Sequence, residues 1–115
     1  MTDKSNFIVD SDMSWQETGE GVTRKVMAWD ERLMLVKVHF ETGAVGSVHH
    51  HPHTQISHIE KGVFEVEIGD DKKLLKSGDA FYIPPNVPHG VVCLQEGILI
   101  DMFSPMREDF VGNKK

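Results

Sequence analysis

Apolar and polar residues alternate with a period of two along much of this chain. The clearest case sets Phe64, Val66 and Ile68 against Glu65 and Glu67, which is the pattern of a strand with one buried and one wet face. Sustained helical periodicity is absent, and short β-branched and aliphatic runs recur between Gly, Pro, Asn and Asp punctuation. The pattern predicts strands over residues 22–29, 33–40, 55–60, 63–68, 72–76, 80–83, 90–94 and 98–103. Turn residues separate them at Asp30-Glu31, Lys61-Gly62, Gly69-Asp70-Asp71, Ser77-Gly78-Asp79, Pro84-Pro85-Asn86 and Glu96-Gly97. An all-β sandwich or barrel is the expected architecture. One helical turn is expected over residues 106–110, and a frayed tail over 112–115.

Size narrows this further. The 115 residues make a single domain with one modest core, and the barrel itself is expected over about residues 22–104. A formal net charge of −6 repels nucleic acid and anionic membrane surfaces, so neither is an expected partner. Residues 1–7 lack a basic stretch followed by an apolar run, and no later segment is apolar enough to span a bilayer. A cytoplasmic protein is the resulting expectation. The single cysteine, Cys93, excludes an intramolecular disulfide and reads as a buried apolar thiol rather than a nucleophile.

The segment His49-His50-His51-Pro52-His53 places four imidazoles within five residues. By itself it fits a solvated polar loop, a pH-sensitive cluster or a metal site. Period-two geometry sorts its members, because in an extended segment His49 and His51 face one side and His50 the other. On the next stretch Gln55, Ser57 and Ile59 share a face opposite Ile56, His58 and Glu60, so Gln55 and His58 cannot serve the same site. Far along the chain His89 follows Pro84-Pro85-Asn86-Val87-Pro88, a stiff turn suited to delivering an imidazole at a defined place. Gln55 is either a neutral oxygen ligand or a hydrogen-bond partner that orients His51.

Two stretches resemble the two cupin motifs. Gly43, His49, His51, Gln55 and Gly62 are similar in spacing to the first, with Gln55 where Glu is usual; Gly78, Pro84, Asn86 and His89 resemble the second, with Asn86 at a usual Gly and Cys93 at a usual Asn. The resemblance implies a single-domain double-stranded β-helix, a jelly-roll-like barrel, holding one divalent transition metal at its mouth. The implied ligands are His49, His51, Gln55 and His89. A glutamine amide cancels none of the ion's charge, so such a centre attracts an anionic ligand and holds its metal less tightly than a site with a carboxylate. These donors suit nickel or zinc first, with iron, manganese or cobalt also compatible.

Strand parity puts Leu99, Asp101 and Phe103 on one face, so Asp101 either lines the barrel or faces water from an edge strand. Arg107, beyond Pro105, either reaches over the mouth as an anion clamp or lies on the surface. From about Trp15 to Phe110 the chain is similar to the small KdgF-type cupins of pectin and alginate breakdown, on the stretches 24–28, 49–56, 62–69, 84–90 and 99–110. That resemblance implies a lyase or isomerase-type enzyme that opens 4,5-unsaturated monouronates to linear keto sugars. It assigns catalysis to Asp101, Phe103 and Arg107, with Gln55 beside them, and a small anionic sugar as substrate. A homodimer is also expected, with Trp29, Met34 and Leu35 as a candidate apolar face. The rival readings are a metal-dependent cupin dioxygenase and a non-catalytic sugar-binding cupin.

Overall fold

The computed structural model describes residues 5–112. Eight strands are formed, β1 (Gln16–Gly19), β2 (Val22–Trp29), β3 (Met34–Phe40), β4 (Val45–His49), β5 (Thr54–Ile68), β6 (Asp71–Lys76), β7 (Ala80–Ile83) and β8 (His89–Ser104), with short 3₁₀ turns at Asp10–Asp12 and Glu108–Phe110. The expected helical turn after Pro105 is the second of these. The expected tail falls at residue 112 and beyond, where residues 113–115 lie outside those described. Among the described residues no helix is long and apolar enough to cross a membrane.

The strands run β1-β2-β3-β8-β5-β6, with β4 added to β8 and β7 to β5. Every pairing is antiparallel. One half of β8 pairs with β3 and with the start of β5, while the other half pairs with β4 and with the end of β5. The sheet therefore folds over on itself into two facing layers, the double-stranded barrel expected from the motifs.

Alternation along β3 decides what fills it. Met34, Val36, Val38 and Phe40 point inward, and they meet Ile59, Phe64, Val66, Phe81, Ile83, Cys93, Leu99 and Phe103 in one cluster. Each such side chain contributes about 1.5–3 kcal/mol by leaving water. Met34 is fully buried there, so it belongs to the core and not to a docking face. Cys93 is equally enclosed, and burial pushes its thiol pKa up, in keeping with an inert packing group.

The sequence pattern divides β5 and β8 at Lys61-Gly62 and Glu96-Gly97, but each remains one strand that bends there. Register shifts fall at Ile59/Lys61 and Lys61/Val63, so the ladder continues through bulges rather than ending in turns. Gly62 makes this possible: its φ is +95°, and a Cβ on it would lie 2.6 Å from the carbonyl oxygens of Gln95 and Glu96. Strands β1 and β4 have no counterpart in the sequence reading, because all of β1 and four of the five residues of β4 are exposed and carry no alternation.

Gly62 and Gly78 share a left-handed φ, yet a Cβ at Gly78 meets nothing within 4 Å. Gly78→Ala is therefore expected to cost about 1–2 kcal/mol of backbone strain, whereas Gly62→Ala adds displacement of the β8 backbone and costs clearly more. Urea unfolding of the two variants should rank them in that order.

Candidate metal centre and pocket

Three imidazoles converge because three backbone segments do. His49 closes β4 and His89 opens β8, where they are paired residues of the ladder. His51 lies in the loop before β5, and that loop is tied to the proline-rich turn by a hydrogen bond from the Asn86 N–H to the His51 carbonyl at 2.7 Å. Asn86 holds a φ of 66°, a conformation that Asn tolerates better than most residues. That explains why it can occupy a position where the resembling motif has Gly.

The ring centroids of His49 and His51 lie 4.5 and 4.8 Å from that of His89, and one ring nitrogen from each lies within 4.8 Å of the others. Each ring is oriented by its own local backbone. His49 Nδ1 contacts the Ser47 carbonyl at 2.8 Å, His51 Nδ1 that of His53 at 3.2 Å, and His89 Nδ1 that of Val87 at 2.9 Å. A carbonyl can only accept, so Nδ1 carries the proton and Nε2 is left with a bare lone pair. Burial lowers the pKa of His89 to about 4 and also depresses that of His51. Both are therefore neutral near neutral pH, the form that binds metal.

The donor set fits a cation. His89 Nε2 is buried without a hydrogen-bond partner, and His51 Nε2 lies 2.9 Å from Gln55 Oε1. Gln55 Nε2 donates to Ser57 Oγ at 2.9 Å, and Ser57 Oγ donates to Asp101 Oδ1 at 2.6 Å. With Asp101 ionised, this chain turns the amide oxygen toward His51, so two lone pairs face each other, an arrangement that a positive ion stabilises. His49, His51 and His89 can thus hold a metal ion. His50 and His58 lie outside this cluster.

Asp101 faces inward, opposite Ser57 in the β5–β8 register. A little of its surface meets the cavity, while the carboxyl itself is enclosed. Burial raises its pKa to about 6 against the opposing pull of the Ser57 hydrogen bond and the Arg107 charge. Phe103 is almost fully buried and packs edge-on against His51 at 5.7 Å. Asp101, Phe103, Arg107, Gln55, His49 and His89 all line one cavity of about 160 Å³.

Arg107 is not a surface residue: its side chain is only 12 % exposed. Its Nε and Nη2 donate to the two Asp109 carboxylate oxygens at 3.2 and 3.0 Å, so one edge of the fork expected to clamp an anion is already engaged. Arg107 also lies 4.3 Å from the Phe110 ring centroid.

Sequence reading gave no site role to Ser57, Phe110 or Arg24, all of which border this network or cavity. For Arg24 a signal was present. It shares strand parity with Val22 and Val26, both of which pack on the core, so a charge on that face had to meet the interior. Phe110 carried no such signal, because its place depends on how the chain folds back after β8.

Comparison with known proteins agrees with the barrel fold. The cupin domain family model matches residues 36–102. The chain is 47% identical to the pectin degradation protein KdgF of Dickeya dadantii (strain 3937), over 91% of this chain and 97% of that protein. The structure of KdgF from Halomonas sp. superposes with a TM-score of 0.90 at 40% identity, covering 93% of this chain and 99% of that one. A RmlC-like cupin from Shewanella frigidimarina NCIMB 400 gives a TM-score of 0.91 at 42% identity, over 96% and 99% of the two chains.

Two outcomes follow from this geometry. Elemental analysis after loading with a divalent metal should show His51→Ala and His89→Ala losing most of the ion, whereas His50→Ala and His58→Ala retain it. In the metal-free protein, Asp101 ionises near 6 when folded and at 3.8 in its ordinary environment, so folding favours its protonated form. The stability this provides is present at low pH and is lost as pH rises through about 6. Relative to Asp101→Asn, the wild type should therefore lose on the order of 3 kcal/mol across that window, as measured by chemical denaturation at stepped pH.

Proposed function

Because this chain belongs to the cupin family, we propose that its cavity binds a 4,5-unsaturated monouronate from pectin or alginate breakdown and converts it to the linear keto sugar. The observation that carries this reading is the run of polar contacts in which Gln55 Oε1 faces His51 Nε2, Gln55 donates to Ser57 and Ser57 donates to Asp101. It sets a proton-carrying group of pKa about 6 beside the three-histidine cluster. The relationship to a protein named for pectin degradation supports the substrate class, and a cavity of about 160 Å³ suits one sugar ring rather than a polymer.

The substrate is a cyclic hemiacetal whose ring oxygen also belongs to an enol ether bearing a carboxylate. Ring opening breaks the bond from the anomeric carbon to the ring oxygen, leaving an aldehyde and an enol. Ketonisation then moves the enol proton to the neighbouring alkene carbon, so the product is an isomer of the substrate. His49, His51, His89 and Gln55 would hold a divalent ion, nickel or zinc best suiting these donors, and that ion would supply Lewis acidity at a substrate oxygen.

Asp101 moves the proton, for which a pKa near the working pH is the favourable setting. Ser57 holds the carboxyl in position and links it to Gln55. The Arg107 donors not engaged by Asp109 meet the substrate carboxylate, and Phe103 walls the cavity and keeps water from the reacting face. Since Gln55 adds no negative charge, the centre keeps its attraction for an acidic sugar.

Metal-loaded protein mixed with an unsaturated galacturonate or mannuronate monomer should accelerate loss of the conjugated alkene absorbance. No acceleration over buffer would reject the activity. Asp101→Ala should lower turnover about 10²–10⁴-fold while its metal content stays at the wild-type level.

A further inference from the structure

Two segments outside the metal motifs, the β1–β2 hairpin and the residues after β8, also line the cavity, through Thr18, Arg24, Arg107 and Phe110. Arg24 of β2 and Arg107 both lie against Phe110, with guanidinium carbons 3.8 and 4.3 Å from its ring centroid. Phe110 is in turn braced edge-on against Phe103 at 5.5 Å. The two cations differ in one respect. Arg107 is paired with Asp109, whereas the Arg24 side chain has no hydrogen bond or ion pair to another described residue, and its Nε is buried without a partner.

An unpaired guanidinium at a half-buried position is costly unless something compensates it. Partial burial and the neighbouring Arg107 charge both disfavour its cationic form, and the Asp109 charge only partly opposes them. Nothing in the overall composition calls for a positive site, since the chain carries a net charge of −6. The concentration of two arginines at one cavity in an acidic protein therefore points to an anionic ligand. Stacking on Phe110 holds the Arg24 plane in place, so little side-chain entropy remains to be lost when a planar anion binds.

We infer that Arg24 is the specificity-determining residue of this pocket, gripping the carboxylate of the bound sugar together with the free donors of Arg107. The inference rests on the uronate reading given above and names the side chain that makes the pocket selective for an acid over a neutral sugar. Arg107, anchored by Asp109, sets the position of the shared anion site, and Arg24 supplies the uncompensated charge. A lysine at position 24 would restore charge without the planar stacked fork, and so would recover only part of the affinity.

The experiment uses metal-loaded full-length protein, with D-galacturonate and D-galactose as probes in titration calorimetry and unsaturated galacturonate in the alkene-loss assay. Arg24→Gln should weaken galacturonate binding at least tenfold at low salt and leave galactose binding as in the wild type. Its KM for the unsaturated substrate should rise about tenfold while kcat falls less than threefold, and Arg24→Lys should lie between the two proteins. Unchanged galacturonate affinity in Arg24→Gln, or equal weakening toward galactose, overturns the inference. Wild-type protein that discriminates the two sugars through Arg24 but leaves the unsaturated monomer unreacted supports the inference and refutes the reaction, so the two failures are separable.

Discussion

The pairing of β5 with β8 is the constraint on which the site depends. Its register sets Gln55 opposite Phe103, Ser57 opposite Asp101 and Ile68 opposite His89, so a single ladder assembles residues from both halves of the chain. Because side chains alternate across a strand, a slip of β8 by one residue would turn Asp101 and Phe103 away from the interior while Gln55 and Ser57 kept their places on β5. The inward apolar residues of the same two strands, Ile59, Phe64, Val66, Cys93 and Leu99, resist that slip. The hydrophobic core and the polar network are thus held by the same register, which explains how a buried carboxyl is tolerated so close to the packing centre.

Upon that ladder the histidines are arranged by short-range backbone contacts. Each donates Nδ1–H to a carbonyl two residues away, which leaves the Nε2 lone pairs bare and able to take a metal. Burial then holds His51 and His89 neutral and Asp101 close to its protonation midpoint near neutral pH. One effect, desolvation of the charged form, lowers the pKa of these two imidazoles and raises that of the carboxyl.

The segments that flank the barrel complete the pocket. The β1–β2 hairpin brings Arg24, and the chain after β8 brings Arg107 and Phe110, so the mouth acquires positive charge from parts of the protein that carry no metal ligand.

Much of this was legible along the chain. The inward faces of β3, β5 and the end of β8, the grouping of His49 and His51 without His50, and the inward placement of Asp101 all follow from a local rule, the two-residue period of an extended backbone. Strands β2 and β7 appear at their expected bounds for the same reason. Local pattern failed where the answer lay in a distant partner. Lys61-Gly62 and Glu96-Gly97 read as turns but became bends, because each segment is held through its glycine by the other. One edge of the Arg107 fork was taken by Asp109 once the chain after β8 curled back, and Arg24 became a pocket residue only when β2 closed beside that curl. Alternation is encoded between neighbours, but which faces meet, and which charges remain unpaired, is decided by strand register and chain reversal between residues far apart in sequence.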